Sequence, residues 1–145
     1  MAEQKINLNQ EQLVQMFQTE QDRLNSLNNS IQVTLQVLDE NLGTLNALKV
    51  LKDSNEKEEI YVPLGSGVFV KASLSNEKEI IMAIANEVTS KTSIEKAIKK
   101  LEEKEKKLAE NHASLVEEQR KLAINLQSLE KVIQSMLAQQ MQQKK

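Results

Sequence analysis

The chain has 145 residues, a formal net charge of −2 and a sequence pI near 5.6, so it carries no basic footprint for nucleic acid. It has no Cys and one His, which excludes a disulfide framework, a thiol nucleophile, a Cys-based zinc site and the usual multi-histidine metal clusters. Three Gly, one Pro and only three aromatic residues (Phe17, Tyr61 and Phe69), set against 12 Asn and 15 Gln, point to long helices with few turns.

The N-terminus Met1-Ala2-Glu3-Gln4-Lys5-Ile6 is polar and lacks the apolar run of a signal peptide. No stretch approaches the roughly 18 consecutive apolar residues of a membrane span. These features lead us to expect a soluble, cytoplasmic protein that binds neither membrane nor nucleic acid.

The first predicted element is a helix over residues 9–53. Phe17, Leu24, Ile31, Leu38 and Leu45 fall on heptad position a, and Leu13, Leu27, Thr34, Asn41 and Leu48 on position d. Asn9 with Gln12 forms a capping box at its start. Leu35, Val37, Leu42, Val50 and Leu51 widen the stripe toward the end, which implies burial against a second neighbour there.

Between the helices the period switches to two. Segments 58–63 and 67–74 flank Leu64-Gly65-Ser66, a turn signal, and segments 80–85 and 87–91 form a second pair with Asn86 near its turn. Ser75-Asn76-Glu77 connects the two hairpins. So little sheet is marginal alone, and unpaired edges favour association. Ile60, Val62, Leu64, Val68, Val70, Ile81, Ile84 and Val88 are therefore the expected oligomerisation residues.

The second predicted helix covers residues 92–138, with a flexible tail over 139–145. Leu101, Leu108, Leu115, Leu122 and Leu129 recur every seven residues at position d, in phase with Ile94 and Met136. Ile98, Glu105, His112, Gln119, Leu126 and Ile133 take position a. Thr92 with Glu95 is the expected capping box, and Glu95–Lys99, Glu102–Lys106, Glu103–Lys107 and Glu117–Lys121 are favourable i,i+4 pairs. Over residues 94–136 such a helix is about 65 Å long, at ~1.5 Å per residue, and needs a coiled-coil partner.

The first helix supplies that partner. Residues 1–53 carry 4 basic and 7 acidic side chains, and residues 94–145 carry 11 and 8. In an antiparallel register where paired numbers sum to about 146, each a position faces a d position. Leu24 then meets Leu122, Ile31 meets Leu115, and Phe17 meets Leu129. Polar residues also coincide, with Asn41 opposite Glu105 and Thr34 opposite His112. These layers set register. A lone His makes no metal site, so His112 is expected as a hydrogen-bonded core residue. Gly65-Ser66-Gly67 is followed by neither Gly-Lys-Ser/Thr nor a helix, so it reads as a hairpin turn and not a phosphate loop. No nucleophile, base or metal set converges, and we expect neither enzymatic activity nor a cofactor.

The run Val62-Pro63-Leu64-Gly65-Ser66-Gly67-Val68-Phe69-Val70-Lys71-Ala72, set between two heptad helices, resembles the α-class subunits of the prefoldin family. The resemblance spans essentially the whole chain. It implies an α+β fold: a long antiparallel coiled-coil hairpin with two short β-hairpins at its connected end, which join an oligomeric β-barrel. It also implies an ATP-independent holdase that binds unfolded client proteins at the coiled-coil tips and passes them to a group II chaperonin. Its partners would be prefoldin β-class subunits, further copies of itself, or both. The second hairpin departs from the α-class pattern. Ile84-Ala85-Asn86-Glu87-Val88-Thr89-Ser90-Lys91 has no Gly and a more polar return strand. In this it resembles the gamma prefoldins, which form filaments through their hairpins, and a filament-forming paralogue is the alternative reading. The client-binding residues expected at the free helix ends are Ile6, Leu8, Leu13, Met16, Phe17, Ile133, Met136, Leu137 and Met141. Three of the five Met lie there, and Met suits a promiscuous surface.

Overall fold

The computed structural model describes residues 9–55, 57–75, 79–85 and 88–143, with the side chains of Ile84, Ala85 and Gln143 outside the description. The element order is α1 (Gln10–Asp53), β1 (Glu59–Gly65), β2 (Val68–Ser73), β3 (Glu79–Ala85), β4 (Val88–Ser93) and α2 (Ile94–Gln143). The two long helices form a coiled-coil hairpin, and the strands form two antiparallel β-hairpins. Both helices contribute to each of two compact units, one of residues 1–36 with 110–145 and the other of residues 37–109.

In the first unit α1 begins with a complete capping box. The Gln12 backbone N–H donates to Asn9 Oδ1 at 2.8 Å, and the Asn9 N–H donates back to Gln12 Oε1 at 3.0 Å. The seam is built around the buried residues Leu27, Ile31, Leu122 and Leu126, with Phe17, Leu24 and Leu115 packed against them. Leu24 with Leu122 and Ile31 with Leu115 thus share one cluster, in agreement with the antiparallel register. A polar layer joins the helices where Gln119 Nε2 donates to Asn28 Oδ1 at 2.5 Å.

Two expectations fail in this unit. Thr34 is buried, but its hydroxyl donates to the Ser30 carbonyl at 2.8 Å within its own helix. His112 is half-buried, and its Nε2 is buried without any hydrogen-bond partner, so it is not the satisfied core residue expected. The residues expected as a flexible tail also continue α2 as far as Gln143; Lys144 and Lys145 lie outside the description. Gln140 Nε2 donates to Gln10 Oε1 at 3.0 Å, which ties the last turns of α2 to the first turn of α1.

In the second unit Leu48, Ile94 and Ala97 form the buried cluster, against which Leu51, Ile80, Met82, Ile98 and Leu101 pack. Of the residues that widen the stripe, only Leu51 packs here; Val37 is half-buried and Leu35, Leu42 and Val50 are exposed, so the expected burial of that wider face is not found. Asn41 is buried, and its Nδ2 donates to the Leu101 carbonyl at 3.0 Å, so the expected partner Glu105 is not the one used. A main-chain carbonyl is a fixed acceptor on the facing helix, whereas a carboxylate would have to be desolvated to reach the same place. The helix start also differs. Thr92 is spent pairing with Ile80 in the ladder, so α2 begins at Ile94 and Ser93 Oγ caps it, accepting from the Lys96 N–H at 3.3 Å. Of the four expected i,i+4 ion pairs, Glu117–Lys121 closes, at 3.8 Å.

The hairpins share one design. In β1–β2, Glu59 pairs with Ser73, Ile60 with Ala72, Tyr61 with Lys71, Val62 with Val70 and Pro63 with Phe69, and a bulge precedes Gly65. The register of β3–β4 is the same with every number raised by 20, bulge included. Glu, Ile, Val, Lys and Ser recur at matching places (59 and 79, 60 and 80, 68 and 88, 71 and 91, 73 and 93). Each copy closes a cross-strand ion pair, Lys71–Glu59 at 2.6 Å and Lys91–Glu79 at 3.8 Å. The first turn passes through Gly65, Ser66 and Gly67 with φ of 109, 50 and 78°, a left-handed path that glycine follows without steric cost. The second expected turn, at Asn86, and the Ser75-Asn76-Glu77 connection lie wholly or partly outside the described residues.

Candidate assembly and client surfaces

The matching hairpins do not have matching surroundings. Side chains alternate across a strand, so β3 turns Ile80 and Met82 to the buried cluster and leaves Ile81 outward, 69% exposed, beside Lys91 and Thr89. In β1–β2 the equivalent inner face carries Ile60, Val62, Val70 and Ala72, yet no residue of this hairpin belongs to either buried cluster. Its opposite face carries Tyr61, Pro63 and Phe69, with Tyr61 69% and Phe69 60% exposed. The first hairpin therefore exposes apolar side chains on both faces, Val62 and Val70 on one and Tyr61 and Phe69 on the other, the latter beside the Lys71–Glu59 ion pair.

Of the expected oligomerisation residues, Val62, Leu64, Val68, Val70, Ile81 and Val88 are exposed and Ile60 is half-buried, while the side chain of Ile84 lies outside the description. Each sheet has only two strands, so each strand also has an unpaired edge within its sheet. Tyr61 and Phe69 were absent from the sequence expectation. Their alternation with Val62 and Val70 was the signal that both faces, not one, carry apolar side chains.

The expected client residues that the structure describes fall in the first unit. Ile6 and Leu8 lie outside the described residues. Leu13 is buried in the seam. Phe17, Ile133 and Met136 are half-buried, while Met16, Leu137 and Met141 are exposed, the last to 76%. Phe17 and Ile133 line one shallow groove together with Val14, Gln18, Glu130 and Gln134.

A second groove in the same unit, about 560 Å³ in volume, went unnoticed in the sequence. Met16, Leu122, Leu129 and Val132 supply its apolar lining, and Glu20, Arg23, Glu118 and Lys121 its charged one. Arg23 Nη2 donates to Glu118 Oε1 at 2.7 Å, while its Nη1 stands 3.8 Å from Glu20 Oε2. Glu20 occupies the heptad slot midway between Leu13 and Leu27, and that break in the seam was the legible clue.

Among the described residues, no group of three or more His, Asp or Glu side chains is placed to hold a metal ion, and no helix is long and apolar enough to cross a membrane.

Comparison with known proteins agrees with this architecture. Residues 10–140 match the family model described as prefoldin subunit. Relatives named prefoldin subunit alpha include one from Methanosarcina mazei, 27% identical over 120 residues, and one from Methanosarcina acetivorans, 26% identical over 116 residues. Each alignment covers 80% of this chain and 82% of the relative. The fold resembles a chain in the cryo-EM structure of filamentous PFD from Methanocaldococcus jannaschii, with a TM-score of 0.64 and 20% identity over 81% of this chain and 94% of that one. With a helix–two-hairpin–helix order and a family match over nearly its whole length, this chain belongs to the prefoldin family.

Proposed function

We propose that the chain is a subunit of an ATP-independent holdase that takes up non-native protein through the helix ends of its first unit. It acts in the cytoplasm, assembles through its hairpins with β-class subunits or with its own copies, and passes its cargo to a group II chaperonin. The observation that carries this reading is the exposure of Met16, Leu137 and Met141 on helix segments whose seam residues Phe17, Ile133 and Met136 are only half-buried. Flexible, unbranched side chains offered this way can follow many apolar sequences without demanding one shape. The test is suppression of aggregation of a denatured model protein. Replacing Phe17, Met136 and Met141 together with Ser is expected to weaken suppression at unchanged assembly mass, and unimpaired suppression would overturn the assignment.

A second reading, a filament-forming prefoldin, is favoured by the apolar side chains exposed on both faces of β1–β2 and by the fold likeness to the filamentous Methanocaldococcus protein. Surfaces on both faces allow heterologous contacts, which continue as an open filament where their rotation does not close a ring. Light scattering across a concentration series separates the two. A small, constant mass supports the closed oligomer, and a mass that climbs without limit supports the filament.

A further inference from the structure

We propose that Ser30–Gln36 is a latent β-strand, held helical by the seam, and that once the seam opens its partner is the same segment of a second copy of this chain. These residues lie within α1, apart from the hairpins and from the helix ends of the holdase reading. Ser30-Ile31-Gln32-Val33-Thr34-Leu35-Gln36 alternates strictly between polar and apolar side chains. That is the period of a strand, with Ile31, Val33 and Leu35 on one face and Gln32, Thr34 and Gln36 on the other. Ile31, Val33 and Thr34 are β-branched, which favours a strand over a helix. No charged side chain occurs between Arg23 and Asp39, and the segment has neither Gly nor Pro. Such a composition suits stacked, in-register strands, in which Gln side chains form ladders from copy to copy.

The helix fits this segment badly. Its period brings Ile31 and Thr34 into the seam, where both are buried, and leaves Val33 58% and Leu35 37% exposed. A strand would instead gather Val33 and Leu35 onto the face of Ile31. The Ser30 and Thr34 hydroxyls each donate to the carbonyl four residues back, at 3.1 and 2.8 Å, contacts that slightly destabilise a helix. Without charged residues, no i,i+4 ion pair supports the stretch. What holds it helical is tertiary packing, because Ile31 belongs to the buried cluster with Leu27, Leu122 and Leu126. When that cluster separates, local preference takes over, and an uncharged strand has no like-charge repulsion to keep copies apart.

The test is incubation of the full chain above its melting midpoint, followed by circular dichroism, thioflavin T fluorescence and mass spectrometry of the protease-resistant core. Wild type is expected to exchange helix signal for strand signal, to bind thioflavin T, and to yield a core that contains residues 30–36. Val33→Lys puts a charge on the apolar face of the strand and should lengthen the lag at least about fivefold. Val33 is exposed in the helix and Lys is the better helix former, so the melting midpoint of this variant should not fall. The substitution also brings the formal net charge from −2 to −1, which by itself favours association, so a longer lag is specific to the segment. Val116→Lys, the same change at an exposed position of α2, should leave the lag unchanged. A heated chain that stays soluble, thioflavin-negative aggregates, a resistant core that omits residues 30–36, or an unchanged lag in Val33→Lys would each overturn the proposal. So would equal slowing by Val116→Lys, which would trace the effect to charge alone.

Discussion

His112 gives the sharpest test of how the seam is held. Its Nε2 is buried without a hydrogen-bond partner, and the hydroxyl of Thr34 donates to the Ser30 carbonyl. Leaving such an atom unpaired costs about 1–3 kcal/mol. A leucine at the same heptad position removes that cost and adds apolar burial, discounted because the site is only half-buried. Together the two effects stabilise His112→Leu by about 2 kcal/mol. For a chain of this length that corresponds to about 6 °C in melting temperature.

The assay is thermal unfolding followed by helix circular dichroism, at matched protein concentration because assembly shifts the apparent midpoint. His112→Ala is the control. It removes the unpaired nitrogen but also the ring's packing, so its stability should stay within about 1 kcal/mol of wild type. A leucine variant no more stable than wild type would refute the reasoning and imply that the imidazole has a partner in solution.

Other consequences follow from the helix start, the first turn and the surface. Ser93→Ala should cost about 1 kcal/mol by chemical denaturation, whereas Thr92→Val, which keeps the strand, should cost less, and the reverse order would restore Thr92 as the cap. Alanine at both Gly65 and Gly67 imposes a side chain at φ of 109 and 78°, at about 1–2 kcal/mol each, and should shift the assembled mass downward; an unchanged mass would separate the turn from assembly. Arg120 holds the Glu117 carboxyl below its ordinary value, chiefly by hydrogen bonds of 3.1 and 2.9 Å and then by its charge. A lowered folded-state value means that any stabilisation is present above the unfolded carboxylate pKa and is lost as pH falls through the folded one. Because the pair is fully exposed, melting curves of Glu117→Gln and wild type should nearly coincide at neutral pH and merge in acid.

Much of the fold was legible because periodicity is a direct record of which side faces a neighbour. The recurrence of Leu101 to Leu129 every seven residues and the switch to alternation after residue 58 required only counting. Polar seam residues were less legible. Heptad position placed Asn41, Thr34 and His112 in the seam, but hydrogen-bond choice depends on distances of a few tenths of an ångström. Asn41 therefore turned to a backbone carbonyl, and Thr34 to its own helix. The 20-residue repeat of the hairpins escaped because only scattered residues preserve it, while the backbone register preserves it fully. The groove escaped because a seam was read for the apolar residues that build it and not for the acidic residue that interrupts it.

One consequence concerns the distribution of stability along the helices. In the first unit no described residue of α1 between Leu13 and Leu27 is buried, and none of α2 beyond Leu126. Fully burying a leucine contributes about 1.5–3 kcal/mol, so the half-buried Phe17, Leu129, Ile133 and Met136 each contribute a fraction of that. The ends are held further by the Asn9–Gln12 capping box and the Gln140–Gln10 bond, worth about 1 kcal/mol apiece. Local opening there should cost far less than global unfolding, while the cluster of Leu27, Ile31, Leu122 and Leu126 stays closed. Amide hydrogen exchange should accordingly run at least about tenfold faster over residues 13–20 and 130–142 than over residues 24–31 and 115–126. On the holdase reading this gradient is functional, because side chains that spend part of their time unpaired in the seam are available to a client. Uniform protection along both helices would refute it and would leave only the permanently exposed Met16, Leu137 and Met141 to make first contact.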